Sequence, residues 1–427
     1  MTLSGIAAAT IFVIVAMYNF FVKNYRTSIL GWVSFIFFMI FFGLLWLDST
    51  HVNNDVFALA ISSVYLVFSA VSNLTIVRSK RPAKERIGIH TNLECRLIFF
   101  VLLILFALSL LSLLLRIHMH GYIFLEGDFY SKALDTSSGL LNRVIMSISL
   151  KTVLLSIVIS FASYICFHKK SFLILSVLFV AVFLISGLLT GGKSAVFVLI
   201  VFTSLLHYYS FRSFLSIKLF SMVFLALTVF VFFFVNYVPN FLGSVEGILD
   251  LIVKRIFTVP ASQLSYVMHH WSGSESFQFG YTFIEEVARV FSQIGIYDKV
   301  PLTNEVIANR IAGRDEDIII TGAAYTVFGN GYINFGLAGM YMYAVIFAII
   351  ITKIHNQLIA KKSISLVRFS MYIFFLFQLF NIILGSGNII LQMESVILNL
   401  IVYFSLFFAF YLLLKGVRFL LLQRSEC

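Results

Sequence analysis

The chain has 427 residues, of which 60% are hydrophobic and only 11% are charged, and its mean hydropathy is +1.00. Soluble domains carry about 25% charged residues, so this composition excludes an ordinary soluble domain and indicates an integral membrane protein. The formal net charge of +11 is a signal of membrane orientation and predicts no binding to nucleic acid.

Apolar segments long enough to cross a bilayer recur along the chain. A spanning helix needs about 20 mostly apolar residues, because the hydrocarbon core is about 30 Å thick. The sequence predicts eleven such spans, at residues 4–22, 29–47, 56–77, 97–115, 144–167, 171–189, 194–210, 214–236, 323–351, 369–387 and 396–414. The predicted fold class is all-α, a polytopic membrane protein with 1–427 as one transmembrane domain, since a spanning helix satisfies its own backbone groups.

Basic residues are concentrated in alternate connections between these spans. Nineteen of the 30 Lys and Arg residues, with three acidic residues, fall after spans one, three, five, seven, nine and eleven. The positive-inside rule therefore places the N-terminus outside and the C-terminus in the cytoplasm. The uncharged start is interpreted as a retained first span, because it lacks the features of a cleaved signal. No outer segment contains a cysteine, so no disulfide is expected.

The first outer segment of some length, 117–143, joins spans four and five and contains histidine and acidic residues. Lys151 follows about seven residues inside span five, roughly 10 Å deep at 1.5 Å per residue. A charge at that depth is often functional, but a lysine can also extend its amine to the interface. Both interpretations of Lys151 stay open.

A phosphate-loop pattern lies between spans six and seven. Gly187, four further residues, Gly192, Lys193 and Ser194 match G-x-x-x-x-G-K-[ST]. On the predicted topology this short connection faces outward, away from cytosolic ATP, so an ATPase is excluded. Two interpretations remain. Glycines, a helix N-terminus and a lysine form an anion site, or the glycines form a tight turn and Lys193 extends into water.

The segment 237–322, between spans eight and nine, is too long for a structureless connection and is predicted to be a functional outer loop. Residues 245–259 and 281–295 have apolar positions at helical spacing, with Glu285, Glu286 and Arg289 on the polar face of the second stretch. Such helices are typical of a bilayer surface. A third helix is predicted to begin with Thr303 or Asn304 as its N-cap and to end near Gly313.

The stretch GNGYINFGLAGMYMYAVIF begins at Gly329 and follows TGAAYTVF. Together with the number of spans, the late outer loop and the small-residue turn carrying a cation, it resembles the bacterial oligosaccharide repeat-unit polymerases. These are the Wzy-type O-antigen polymerases, related in architecture to the O-antigen ligases. The resemblance covers the layout of the whole chain.

The resemblance implies an enzyme of the bacterial inner membrane. It would transfer a growing glycan from one undecaprenyl pyrophosphate carrier to the sugar of another on the periplasmic face, in lipopolysaccharide biosynthesis. The implied partners are undecaprenyl-pyrophosphate-linked oligosaccharides, the bilayer, and a chain-length regulator and flippase of the same pathway. No cofactor or metal is implied.

The resemblance also bears on single positions. The family usually has arginine where this chain has Lys193, so only point-charge attraction to a pyrophosphate remains. The ligases have a histidine where Tyr325 and Thr326 stand here. Gly336 and Gly339 are expected to allow close helix packing.

Glycosyl transfer from a lipid pyrophosphate needs a base for the acceptor hydroxyl and positive charge near the leaving phosphates. The candidate catalytic residues are Glu285, Glu286, Asp315 and Thr326. The candidate pyrophosphate-binding residues are Lys193, Arg289, Arg310, Arg314 and Lys151.

Simpler interpretations remain for several of these residues. Arg289 is equally consistent with an ion pair to Glu285 or Glu286 within one helix. Arg310 and Arg314 lie one helical turn apart and are also consistent with a solvated surface. The acidic run 315–317 has the D-x-D pattern of a metal site, with a solvated loop as the alternative.

Two other functions compete with a polymerase. A lipid-linked oligosaccharide flippase or transporter needs cavities open to both sides and charges spread over several spans, whereas most outer charge here lies in one segment. An O-antigen ligase would use the same donor with a lipid A core as acceptor, but the ligase histidine is missing.

Overall fold

The computed structural model describes residues 3–19, 28–46, 54–77, 92–120, 140–189, 194–211, 259–273, 276–293, 301–313, 323–360, 364–385 and 387–424. Throughout these ranges the regular elements are helices, and none is a β-strand. This confirms the predicted all-α class.

Thirteen helices are described, numbered here in chain order. They are α1 (Leu3–Met17), α2 (Ile29–Trp46), α3 (Asn54–Thr75), α4 (Asn92–His120), α5 (Leu140–Phe167), α6 (Lys170–Leu189), α7 (Ser194–Phe211), α8 (Val259–Gly273), α9 (Tyr281–Gln293), α10 (Thr303–Ala312), α11 (Thr326–Ala360), α12 (Leu366–Leu384) and α13 (Ile389–Arg424).

Ten of the eleven predicted spans coincide with helices, and the remaining one, 214–236, lies outside the described residues. Five helical stretches are long and apolar enough to cross a membrane, namely Asn54–Thr75, Cys95–Leu115, Thr326–Ile359, Leu366–Leu384 and Ile389–Leu406. Five more apolar helices are shorter, in α1, α2, α5, α6 and α7. These helices are those of a multi-pass membrane protein, while the count of eleven spans and the sidedness stay predictions.

One compact unit comprises Met1–Lys80, Val201–Lys361 and Phe375–Gln392. Within it α3 packs against α1, α2 and α11, and α8 packs against α2 and α11. Aromatic rings form the centre: Phe12 stacks on Phe41 at 4.4 Å, and Phe37 lies 4.8 Å from both Tyr65 and Phe328 in tilted arrangements, measured between ring centroids. Because each ring buries a large apolar area, this cluster holds α1, α2, α3 and the start of α11 together.

A second compact unit comprises Arg81–Ile200, Lys362–Phe374 and Met393–Cys427. Its helices α4, α5 and α6 pack against one another. Phe99 on α4 meets Phe172 on α6 edge to face at 5.6 Å. Ser156 on α5 and the hydroxyl of Tyr403 on α13 are hydrogen bonded at 2.5 Å, which links α13 to this unit.

The predicted span 323–351 is not one continuous helix, and that prediction is wrong in this respect. Phe335 (φ −141°) and Gly336 (φ 63°, ψ −151°) interrupt α11. A Cβ added at Gly339 would overlap the carbonyl oxygen of Gly331. Residues eight apart in a straight helix are about 12 Å apart, so 326–335 folds back against 336–360 as a helical hairpin.

The backbone groups freed by this break find partners in the segment before α9. The N–H groups of Gln278 and Phe279 donate to the carbonyls of Ile333 and Asn334, at 3.0 and 3.1 Å. Non-helical backbone inside a membrane protein is stable only when its polar groups are satisfied in this way. The break therefore fixes the position of α9 as well as the direction of the hairpin.

The described residues of 237–322 include α8, α9 and α10, while the predicted amphipathic stretch 245–259 lies outside the described residues apart from Val259, the first residue of α8. α9 occupies most of the predicted 281–295. The N-cap of α10 is Leu302 rather than Thr303 or Asn304, and the Glu305 carboxylate accepts the Leu302 N–H at 2.9 Å. Gly313 ends α10 in the left-handed conformation that favours glycine.

Candidate functional site

α9 has its apolar face exposed and its polar face buried. Ile284 is 62% exposed, whereas Glu286 is 2% and Arg289 is 5% exposed. In water this arrangement would be unfavourable, because it leaves apolar area exposed and removes charges from solvent. The arrangement is favourable for a helix that lies on a bilayer with its apolar face toward lipid. In this orientation the carboxylates of α9 point toward the protein interior.

Glu286 is held by the first turn of α13. Its Oε2 accepts hydrogen bonds from the N–H groups of Ile390, at 2.7 Å, and Leu391, at 3.3 Å. Its Oε1 is buried and has no hydrogen-bond partner among the described residues. Burial raises the pKa of the Glu286 carboxyl to about 7, although the backbone N–H groups act in the opposite direction. Glu286 is therefore a carboxyl group that titrates near neutral pH and has one oxygen free.

Glu285, the neighbouring carboxylate, has different hydrogen-bond partners from those of Glu286. Its Oε2 accepts hydrogen bonds from both the backbone N–H and the hydroxyl of Thr303, at 2.8 and 2.7 Å. Burial raises the pKa of the Glu285 carboxyl, and the two Thr303 hydrogen bonds oppose that rise. Glu285 thus fixes the N-terminus of α10 against α9, which is a positioning role.

Arg289 forms its ion pair between helices. Its guanidinium donates to the carboxylate of Glu305 on α10, rather than to a carboxylate of its own helix as one interpretation of the sequence had it. The Arg289 Nε is buried without a partner in the described part of the chain. Since Glu305 neutralises its charge, Arg289 is better suited to holding α9 and α10 together than to binding a phosphate.

Two asparagines on the first half of α11 connect the hairpin to its surroundings, and the sequence predictions missed them. The Asn334 Nδ2 donates to the Asn330 Oδ1 at 2.7 Å and to the Thr282 Oγ1 at 2.8 Å. The Asn330 Nδ2 donates to the Gly387 carbonyl at 3.1 Å. Both side chains are almost fully buried. Two amides one turn apart in an apolar segment are the signal that would have identified them.

Tyr325 and Thr326 begin the hairpin close to the carboxylates. Tyr325 is almost fully buried, and the charges of Glu285 and Glu286 lie close enough to interact with its phenol. Thr326 is fully buried with φ 67°, and its hydroxyl has no hydrogen-bond partner in the described ranges. Thr326 therefore retains hydrogen-bonding capacity at the base of the hairpin.

The remaining predicted residues are not brought into this site. Lys193, Arg314 and Asp315 lie outside the described residues, and only the backbone of Lys151 is described, within α5. Arg310 lies in the last turn of α10 and is half-buried. In the part of the chain that the structure describes, no group of three or more His, Cys, Asp and Glu side chains is arranged to hold a metal ion.

A conservative change at Thr303 tests the positioning role of Glu285. We expect Thr303→Val to reduce the free energy of unfolding by about 1 kcal/mol, because it removes one hydrogen bond to a half-buried carboxylate. Chemical unfolding of the purified protein in detergent measures this loss. Thr10→Val is the matched control, because the exposed Thr10 hydroxyl bonds only to its own helix, at Ile6, and it should leave the unfolding free energy unchanged. Equal losses in the two variants would contradict this role for Glu285.

The comparisons with known proteins add no assignment. The chain matches no model of a protein family, no curated protein and no solved structure. Because one fold supports many functions, function has to be argued from the chemistry of the site itself. That chemistry is a buried carboxyl group on the amphipathic helix α9, held by the first turn of α13 and flanked by the broken helix α11.

Proposed function

We propose that this protein is a membrane glycosyltransferase that joins undecaprenyl-pyrophosphate-linked repeat units into a long surface polysaccharide. The observation that carries the proposal is Glu286, whose Oε1 has no hydrogen-bond partner among the residues that the structure describes and whose pKa burial raises to about 7. A general base works best when its pKa is near the operating pH. The resemblance of the chain's layout to the Wzy-type polymerases supplies the reaction class, and Glu286 supplies its base.

In the proposed reaction the acceptor sugar hydroxyl attacks the anomeric carbon of the donor glycan. A bond forms between that oxygen and that carbon, and the bond from the carbon to the pyrophosphate oxygen breaks. The pyrophosphate leaves on its carrier lipid with the electron pair, and Glu286 takes the hydroxyl proton on Oε1. The N–H groups of Ile390 and Leu391 hold Oε2 and so orient the carboxylate.

Charge compensation for the leaving pyrophosphate is assigned to Lys193, Arg310, Arg314 and Lys151. Arg289 is removed from this set, because its charge is already paired with Glu305. We place α9 at the periplasmic surface of the bacterial inner membrane, where a polyprenyl chain can lie along its exposed apolar face. Glu286 is only 2% exposed, so substrate binding must move a covering segment, as lids do in many enzymes.

The pH dependence of elongation follows from the Glu286 carboxyl. Below pH 7 the carboxyl is protonated and cannot accept the hydroxyl proton, so activity falls as the pH decreases. We expect elongation to be half-maximal near pH 7 and to be about tenfold lower at pH 6 than at pH 8. Initial rates measured with purified protein and lipid-linked repeat units between pH 5.5 and 8.5 test this. A rate that stays constant across that range would contradict the assignment of Glu286 as the base.

A deletion strain separates the proposed function from its rivals. Loss of a polymerase leaves surface lipopolysaccharide capped with a single repeat unit. Loss of a flippase leaves no repeat unit displayed, and loss of a ligase leaves long chains on the carrier lipid. The first of these three phenotypes supports the proposal, and either of the other two contradicts it.

The sidedness of α9 is tested by labelling. Ser276 is a polar, exposed residue five positions before α9, so Ser276→Cys, in a background with the three native cysteines replaced by serine, should react with a membrane-impermeant maleimide in intact spheroplasts. Labelling only after lysis would place α9 in the cytoplasm, away from the displayed saccharides, and would contradict the proposal.

A further inference from the structure

A cavity of about 380 Å³ lies in the second compact unit, between the first turns of α4 and the α5–α6 connection. Its polar lining consists of Arg96, Lys169 and Ser171, and its apolar lining includes Phe99, Phe100 and Phe172. Arg96 and Lys169 are both exposed. The volume falls within the range of small-molecule sites, about 300–1,000 Å³. None of the described lining residues is acidic, so two positive charges face this cavity without a compensating carboxylate in it.

The cavity lies where two apolar stretches begin. Arg96 stands at the start of the apolar stretch Cys95–Leu115, and Lys169 immediately precedes the apolar stretch Lys170–Ser186. In a bilayer crossed by these stretches, the polar half of the cavity would face the membrane–water interface and its aromatic half would adjoin the hydrocarbon. Phe100 is 49% exposed and Phe172 is fully buried against Phe99, so the apolar half has a rigid wall and an open side.

We infer that this cavity binds the phosphate of an anionic membrane lipid. A guanidinium grips two phosphate oxygens at once, an ammonium adds a point charge, and a serine hydroxyl donates a third hydrogen bond. Acyl chains can extend past Phe100 into the hydrocarbon. Basic pockets at the ends of membrane helices bind anionic head groups by this chemistry. The inference does not depend on the proposed function, since it uses neither α9 nor Glu286.

The test uses the full-length protein, delipidated in detergent and titrated with dioleoyl-phosphatidylglycerol while bound lipid is counted by native mass spectrometry. The cavity variant carries Arg96→Ala and Lys169→Ala. The matched control carries Lys170→Ala and Arg368→Ala, two exposed basic residues outside the cavity. Each basic group near an anionic head group contributes about fivefold in affinity, so we expect the cavity variant, which loses two such groups, to bind about 10- to 30-fold more weakly.

The control variant should bind within twofold of the unaltered protein, and dioleoyl-phosphatidylcholine should bind as weakly to the unaltered protein as phosphatidylglycerol does to the cavity variant. Equal losses in the two variants would overturn the inference, because the binding would then depend on general surface charge. Displacement of phosphatidylglycerol by an equal concentration of inorganic phosphate would also overturn it, because the ligand would then be a free anion rather than a lipid.

Discussion

Glu286→Gln is expected to abolish chain elongation while leaving the protein folded. Glutamine keeps the shape of the side chain and can still accept the N–H groups of Ile390 and Leu391, but it cannot take a proton from a sugar hydroxyl. Loss of a general base lowers rates by about 10²- to 10⁴-fold. Gel electrophoresis of polysaccharide from a complemented deletion strain should show single repeat units in place of a ladder.

The thermal stability of Glu286→Gln distinguishes a catalytic role for Glu286 from a structural one. Because burial raises its pKa to about 7, the folded protein binds this proton more tightly than the unfolded chain does. The carboxyl therefore destabilises the fold as the pH rises from about 4.5 to 7. At pH 8 the neutral glutamine should leave the Tm unchanged or higher. A variant that unfolds, or one that makes chains of normal length, would contradict the role of Glu286 as the base.

Glu285→Gln is the matched control for elongation. This carboxylate bonds to Thr303 through a single oxygen, and a glutamine oxygen can accept the same two donors. We expect its elongation rate to stay within about fivefold of the unaltered protein, since weakening a hydrogen bond to a charged group costs at most about 1 kcal/mol in this half-buried site. Equal loss of elongation in Glu285→Gln and Glu286→Gln would assign the effect to the packing of α9.

Gly339→Ala is expected to destabilise the hairpin of α11 by about 3 kcal/mol. The added Cβ would overlap the Gly331 carbonyl oxygen and would lie 3.0 Å from the Cβ of Phe335. Because the first contact is with backbone, no rotamer change relieves it, and the two halves of α11 must separate. Overpacking of a rigid core costs about 1–3 kcal/mol, and a backbone clash lies at the upper end. Thermal unfolding in detergent should show a Tm lower by several degrees.

Ala338→Ser is the control for this change. It adds one heavy atom to the same helix at the adjacent exposed position, where neighbouring lipid or detergent can move aside. We expect a change of less than about 0.5 kcal/mol in the free energy of unfolding. If Gly339→Ala were as stable as Ala338→Ser, the two halves of α11 would not be packed as closely as the structure shows.

The positions of the helices could be predicted from the sequence, because lipid offers the backbone no hydrogen-bond partners. A chain of this hydropathy must satisfy its backbone hydrogen bonds locally, so the segments predicted at 29–47, 56–77 and 171–189 coincide with α2, α3 and α6. The end of α10 at Gly313 was also predictable, since glycine adopts the left-handed conformation at low cost. The hydrophobic period along 281–295 likewise predicted that α9 has two chemically distinct faces.

Only the tertiary structure decided which face of α9 is buried. The partners that make burial of Glu285, Glu286 and Arg289 possible are Thr303, Glu305, Ile390 and Leu391, which are 16 to 105 residues away along the chain. No local pattern encodes contacts at that separation. The hairpin of α11 depends likewise on Gly331 and Gly339 meeting across the break at Gly336. Hydrophobic periodicity shows that a helix has a polar face. Whether that face can be buried depends on the hydrogen-bond partners that distant parts of the chain place beside it.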